Sequence, residues 1–332
     1  MKAIVLQQNN EFLLEEINIP QPADNQIQIK IIASGFNPID YQMTENRSEK
    51  KRMHSNILGR EFSGIVMALG KGVKDFKVND AVFCGSGSMG SNGTYAEYIC
   101  VPEAIVMHKP DTISFEEAAA IPSVGLTALQ CLNRMKASFT DSILITGAAG
   151  GVGNILVKLL IANGYENFIV TAGNDQSIAS LIDLGVKENQ IINYKNQKID
   201  EAAIALNKGN KFDFIVDLVG NEIAEITAPL LVANGIYVDV TAFSTSLSRE
   251  LLFNKGATIL NISNYAYGIE KKYDYYKQGL NQLRILLQDK LIAPPTVAIV
   301  GSLEAATVIT AHKILRENKT QGKKLVMQID TN

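Results

Sequence analysis

Seven consecutive residues, Gly147-Ala148-Ala149-Gly150-Gly151-Val152-Gly153, have the spacing of a phosphate-holding turn. The apolar run Ser142-Ile143-Leu144-Ile145-Thr146 before them reads as a buried strand, and Asn154 to Ala162 after them as an apolar helix. A glycine-rich turn in that setting brings a pyrophosphate close to the backbone at Gly150. The helix that follows offers it unpaired N–H groups and the positive end of its dipole. Gly153 lets the helix pack closely on the strand. Ala148 stands where the usual fingerprint has its first glycine, so the flanking strand and helix carry the assignment. The implied chemistry is dinucleotide binding, with Ala149, Gly150, Gly151 and Val152 assigned to the cofactor.

Which dinucleotide depends on the end of the next strand, Phe168-Ile169-Val170-Thr171. An acid there holds the ribose hydroxyls of NAD and repels a 2′-phosphate. This chain continues Ala172-Gly173-Asn174, with no acid at the tip. Gly173, Asn174 and Ser177 are assigned to that end of the nucleotide, the last two as hydrogen-bond donors to a phosphate. Tyr194 and Lys195 follow the third strand, where a hydroxyl and an ammonium can join them. Tyr194 reads equally well as a surface aromatic, and Asp175 as a solvent-facing acid. The pattern favours NADP, as NADPH.

The elements that position these groups have two textures. Up to about residue 120 the chain reads as short strands with glycine-dense turns between them. Gln26-Ile27-Gln28-Ile29-Lys30-Ile31-Ile32 alternates as a half-buried strand does, and the whole suggests a coiled, β-barrel-like domain. From about 123 strands alternate with helices: helices near 176–184 and 222–232, and strands at 190–193, 212–217 and 235–240. This is the pattern of a doubly wound parallel sheet. Beyond 265 come an amphipathic helix over 270–289, a strand at 296–300, a helix over 303–316 and a last strand at 324–329, a tail expected to return to the first domain.

Of the 332 residues, 46% are hydrophobic and 20% charged, as in ordinary globular proteins, and the formal net charge is −3. That balance offers no general attraction to nucleic acid or an anionic membrane. No segment approaches the length of a bilayer span, and the first apolar run reads as a strand rather than a signal peptide. Three scattered cysteines, Cys84, Cys100 and Cys131, imply no disulfide framework and point to a reducing, cytoplasmic setting.

Several further stretches carry a resemblance: Gly35-Phe36-Asn37-Pro38-Ile39-Asp40, Leu58-Gly59-Arg60-Glu61-Phe62-Ser63-Gly64, Gly93-Thr94-Tyr95-Ala96-Glu97-Tyr98, Ala118 through Ala128, and Gly322-Lys323-Lys324-Leu325-Val326. In order and spacing over nearly the whole length, the chain resembles the medium-chain dehydrogenase/reductase superfamily, in its zinc-independent quinone oxidoreductase (zeta-crystallin-like) branch. The resemblance implies an α/β protein with a GroES-like, β-rich catalytic domain over 1–122 and 266–332. A Rossmann cofactor domain would occupy 123–265, and the protein would be a homodimer. Zinc-dependent relatives need thiolate or imidazole ligands. The corresponding places here hold Asn37, Arg60 and Ala120-Ile121-Pro122, and arginine does not give up its proton to a metal. His54, His108 and His312 lie outside these places and read as surface or packed histidines.

Without a Lewis acid, the easier acceptor is one already activated, a quinone or a conjugated carbonyl. Donors beside its oxygen stabilise the charge that develops as hydride arrives. The resemblance suggests Asn37 and Tyr41 as donors. Relatives place a tyrosine one position later, at Gln42, so either Tyr41 or Gln42 faces the substrate. Asn37 also reads as a turn-starting residue, and Asp40 as a helix-capping carboxylate. Arg60 either pairs with Glu61 or Asp40, or faces the cleft and selects anionic acceptors. Thr127, Val219, Thr241, Asn264 and Lys324 are assigned to the cofactor. Val219 and Thr241 follow strand ends, the usual cofactor edge. Two other functions stay open: an alkenal or enoyl-thioester double-bond reductase, and a non-catalytic NADPH-binding regulator.

Overall fold

The computed structural model describes residues 1–329, apart from the side chains of 47 and 48. The chain divides into two compact units, one formed by residues 1–126 with 264 onward, the other by 127–263.

In the first unit the alternating segment forms a ten-residue strand, Gln26–Gly35. Along one edge it pairs antiparallel with Glu61–Leu69, with register shifts at Gln28/Ile29 and Ile31/Ala33. Such irregularities bend a strand and strengthen its twist. Along its other edge two partners share it: Tyr98–Pro102 takes residues 26–30 and Lys324–Gln328 takes residues 33–35. The sheet runs on to Val297–Gly301 at one end and to Ala81–Cys84 and Val106–His108 at the other. It is thus a bent seven-stranded sheet with two ends rather than a ring of strands. Residues from both chain ends, among them Ile4, Phe36, Tyr95, Val308 and Met327, fill one core beside it. The chain's tail therefore completes a fold that its head begins.

The second unit is a six-stranded, all-parallel sheet. Its order is Ile191–Asn193, Phe168–Ala172, Ile143–Thr146, Phe212–Asp217, Leu231–Asp239, Thr258–Asn261. Numbered within the unit this is 3-2-1-4-5-6, which reverses direction at the first and fourth strands and makes the crevice where dinucleotides bind. The strands are apolar because helices cover them, and Leu144, Phe212, Ile215 and Tyr237 lie in one buried cluster.

Two expectations change in detail, and several helices were not expected. The helix expected over 222–232 stops at Thr227, and the next three residues form a 3-10 turn containing Pro229. Proline has no N–H to continue the helical ladder, so the chain enters its strand early, at Leu231. The helix expected over 270–289 is two helices, Asn264–Ile269 and Asp274–Gln288, separated where Lys271 takes a left-handed φ of 54°. Helices Pro38–Glu45, Phe115–Ala120, Pro122–Met135 and Ile199–Leu206 had no counterpart in the sequence reading.

The turn after the first parallel strand depends on Gly153. A Cβ there would lie 2.6 Å from both the Ala148 Cα and the Gly147 carbonyl, atoms of fixed backbone. Gly153→Ala should therefore lower stability by about 1–3 kcal/mol through overpacking, read as a shift in the urea midpoint.

Candidate active site

In the first unit the quoted motifs converge on a buried polar cluster. Asn37 caps the helix Pro38–Glu45, whose first residue is a proline. Its backbone N–H donates to Asp40 Oδ2 at 2.8 Å, so Asp40 is a helix-capping carboxylate and is fully buried. The Asn37 side chain turns the other way, donating from Nδ2 to Glu61 Oε1 at 2.7 Å. The Lys324 ammonium donates to that same oxygen at 2.7 Å, to Asn37 Oδ1 at 2.8 Å and to the Phe36 carbonyl at 3.0 Å. Glu61 Oε2 accepts from the Ser123 backbone N–H at 2.8 Å. A buried carboxylate and a buried ammonium thus meet with both oxygens and all three donors used, as a buried ion pair requires. Lys324 was assigned to the cofactor by resemblance; its three donors are spent inside this unit.

Burial pushes the Asp40 carboxyl up to about 6; the hydrogen bond from Asn37 and the nearby Arg60 charge oppose that rise. Its Oδ1 and the Tyr95 hydroxyl are both buried without a hydrogen-bond partner, yet near enough to affect each other's titration. Arg60 forms no ion pair with Asp40 or Glu61. Among the described residues its Nη1 meets only the Met43 sulfur, at 3.8 Å. Tyr41 points toward the helix Ala305–Arg316: its ring lies 5.4 Å from the Arg316 guanidinium carbon and 6.5 Å from the His312 ring. Gln42, half-buried beside it, makes no side-chain hydrogen bond among the described residues. Asn264 accepts from the Tyr275 hydroxyl through Oδ1, and its carbonyl accepts from Tyr276 at 2.6 Å.

His312 is buried, and burial takes its pKa down to about 4. His108 is paired with Asp80 at 3.1 Å. All three cysteines are buried, which pushes their thiols up and leaves them poor nucleophiles.

In the second unit Gly147 takes a positive φ of 66° and Gly150 caps the helix Gly151–Ala162. A Cβ built on Gly150 would meet only the Gly147 carbonyl, at 3.2 Å; the space above it is open. The first-turn N–H groups at Gly151, Val152 and Gly153 have no acceptor within the helix. This cradle fits a pyrophosphate. A Cβ on Gly147 would lie 3.0 Å from Val219, so the loop after the fourth strand sits against it.

Two acids that the sequence reading passed over hold this edge. Asp217 Oδ1 accepts from the Thr146 hydroxyl at 2.8 Å and from the N–H groups of Val219 and Gly220 at 3.0 Å, while Oδ2 accepts from Tyr237 at 2.7 Å. Asp239 Oδ1 accepts from the N–H groups of Thr241 and Ala242 at 3.1 and 2.9 Å. Each ends its strand in sequence, Phe212–Asp217 and Leu231–Asp239, which was the available signal.

At the second strand, Asn174 Oδ1 accepts from the Ser177 N–H at 2.8 Å and caps the helix Asp175–Asp183; Asp175 is exposed. The Tyr194 phenol lies directly over Gly173, where any Cβ would sit 2.2 Å from its ring. Lys195 Nζ is 5.8 Å from that ring's centre. Gly173, Asn174, Ser177 and Tyr194 are therefore neighbours. Thr127 lies on the helix Pro122–Met135, at the start of this unit.

A parallel sheet with this switch point and cradle, joined in sequence to a β-rich unit, defines an NAD(P)H-type oxidoreductase. Residues 23–111 match the alcohol dehydrogenase GroES-like domain and residues 186–326 the zinc-binding dehydrogenase family. A chloroplast envelope quinone oxidoreductase homolog of Arabidopsis thaliana is 30% identical over 235 residues, 68% of this chain and 69% of its own. Among solved structures, the quinone oxidoreductase of Coxiella burnetii is 28% identical with a TM-score of 0.83, covering 99% of each chain. The Escherichia coli quinone oxidoreductase, complexed with NADPH, is 27% identical with a TM-score of 0.84, covering 98% of this chain and all of that one. The chain belongs to the medium-chain dehydrogenase/reductase superfamily.

The buried Asp40 gives a pH-dependent test. Its folded pKa, about 6, stands above the ordinary 3.8, so folding is penalised progressively as pH rises from about 4 to 6 and fully above that. The penalty is about 3 kcal/mol. Asp40→Asn keeps an acceptor for the Asn37 N–H. Its stability relative to the parent should therefore rise by up to about that amount between pH 4 and pH 7, measured by denaturant unfolding at each pH. A difference that does not vary with pH refutes the assignment.

Proposed function

We propose that the chain is an NADPH-dependent reductase that passes a hydride to a quinone or an α,β-unsaturated carbonyl without a catalytic metal. One observation carries the reading. The buried carboxylate of the motif, Glu61, already has the Lys324 ammonium at 2.7 Å, and the residue beside it in sequence is Arg60. A divalent cation at Glu61 would have to displace a buried positive charge, and the neighbouring side chains, Asn37 and Arg60, supply no thiolate or imidazole. Among the described residues no three His, Cys, Asp or Glu side chains gather elsewhere. A site built this way suits an acceptor that needs no Lewis acid.

NADPH, when bound, supplies the hydride. The backbone of Ala149, Gly150, Gly151 and Val152 holds the pyrophosphate at the helix N-terminus. Asp217 and Asp239 hold the loops of Val219 and Thr241 at the cofactor edge. Asn174, Ser177 and Tyr194 receive the 2′-phosphate end, where no carboxylate stands at the strand tip. Asn37 is nearly buried and spent on Glu61 and Lys324, so it positions rather than contacts. With Tyr41 engaged by Arg316 and His312, Gln42 is the amide left to donate to the acceptor oxygen. Similarity to the NADPH-complexed Escherichia coli enzyme supports the cofactor.

The test is NADPH oxidation, followed at 340 nm, by chelator-treated protein with a panel of quinones and enones. Turnover that survives chelation and does not rise with zinc supports the reading. Turnover restored only by zinc overturns it, and NADPH binding with no turnover on any acceptor favours the regulator. For the cofactor, Asn174→Asp keeps the helix cap but places a carboxylate at the strand tip. It should lower kcat/KM for NADPH relative to NADH by about 10-fold or more, a like-charge penalty of at least about 1.4 kcal/mol.

A further inference from the structure

Arg60 follows Gly59, where φ is 90° and a Cβ would lie 2.1 Å from Thr94 Oγ1, so only glycine fits. The Arg60 carbonyl accepts from the Gly87 N–H at 3.0 Å and from the Ser86 hydroxyl at 3.3 Å. With its backbone held in this way, the guanidinium lies half-buried, Nη1 on the Met43 sulfur at 3.8 Å and Nη2 beside Gly87. A guanidinium has five N–H donors, and a thioether is a weak acceptor for one of them. Among the described residues no carboxylate forms an ion pair with it, since Glu61 is engaged with Lys324 and Asp40 with the Asn37 N–H.

Beside this cation is a cavity of about 10 Å³, partly open to solvent. That is room for a single water or a single monatomic ion. Met43, Met53 and Leu58 form its apolar side and Arg60, His54 and Ser55 its polar side; among the described residues no acid lines it. The Ser55 oxygen accepts from the Ile57 N–H at 3.0 Å, which leaves its O–H as a donor. Burial, and after it the Arg60 charge, hold the His54 imidazole below its ordinary value; backbone groups of Asn92 and Gly90 oppose this. The guanidinium's field is thus felt at the neighbouring wall. A buried water needs about two to four polar partners, and here much of the surface is apolar. An anion needs donors only, and it supplies the counter-charge that a half-buried cation lacks.

We propose that this cavity is a binding site for a monatomic anion of the halide class, held by the Arg60 guanidinium with the Ser55 hydroxyl beside it. The ion gives Arg60 the counter-charge that Glu61 and Asp40 do not. The site stands independently of the reductase reading, and no covalent bond changes when it fills.

The test uses the histidines as reporters. At fixed ionic strength, sodium chloride is exchanged for sodium gluconate, whose anion is too large for the cavity, and the imidazole titrations are followed by NMR. Chloride should raise the His54 pKa along a single-site curve, because an anion beside it favours the imidazolium. His108, exposed and paired with Asp80, reports general screening and should stay where it is. In Arg60→Met the half-saturating chloride concentration should rise by about 10-fold or more, and in Arg60→Lys by less. A His54 titration that ignores chloride, or that moves together with that of His108, overturns the proposal. A second measurement needs no variant: crystals of the parent protein soaked in bromide should show its anomalous scattering within hydrogen-bond reach of the Arg60 guanidinium. No peak there refutes the site, and so does a peak with no response in solution, which marks an adventitious ion only.

Discussion

The first unit depends on one buried charge pair, Lys324 with Glu61, separated by 263 residues in sequence. Glu61 is fully buried and Lys324 nearly so, and each charge is tolerated because the other, with Asn37, Phe36 and Ser123, satisfies it. The pair joins the last described strand to the strand beginning at Glu61, both alongside the central Gln26–Gly35. It also fixes Asn37, and through Asn37 the helix that carries Asp40, Tyr41, Gln42 and Met43. A small number of interlocked bonds thus sets where that helix begins.

The second unit holds its loops by a different device. Two strands end in aspartates whose side chains bend back to collect the N–H groups of the loops that follow. Backbone groups satisfied this way keep a loop in one conformation without regular structure. The tightness shows in Asn221 and Ala242, which take positive φ values of 52° and 58°. Such values are strained for residues with a Cβ, and for alanine more than for asparagine. The edge that faces the nucleotide in folds of this kind is thereby made rigid by residues that need not touch it.

What the sequence disclosed and what it hid divide by distance along the chain. The phosphate turn was legible because strand, glycines and helix are consecutive, and so were the five parallel strands with local apolar runs; the sixth, Thr258–Asn261, is short and largely exposed and gave no such signal. The resemblance marked Glu61 and Lys324 as belonging to motifs, but no local pattern says that a lysine near the C-terminus neutralises a glutamate near the N-terminus. Glu61 holds that lysine rather than Arg60, its neighbour in sequence. Spacing does not distinguish Tyr41 from Gln42, and no local pattern announces the packing of Tyr41 against Arg316 and His312. The helix ends missed at Thr227 and around Lys271 turned on single residues, a proline and a left-handed lysine, that interrupt otherwise regular stretches.

The division of the chain into an internal unit and a split one has a consequence for biosynthesis. Residues 127–263 are contiguous, so every strand of the parallel sheet is synthesised before the strand that carries Lys324. The β-rich unit, begun first, has to wait: until Lys324 emerges, Glu61 lacks its counterion, and the 33–35 end of the central strand lacks its partner. The nascent protein therefore finishes its middle before its beginning. The long-delayed last strand is what ends the vulnerable interval in which a half-built sheet stands open to wrong pairings.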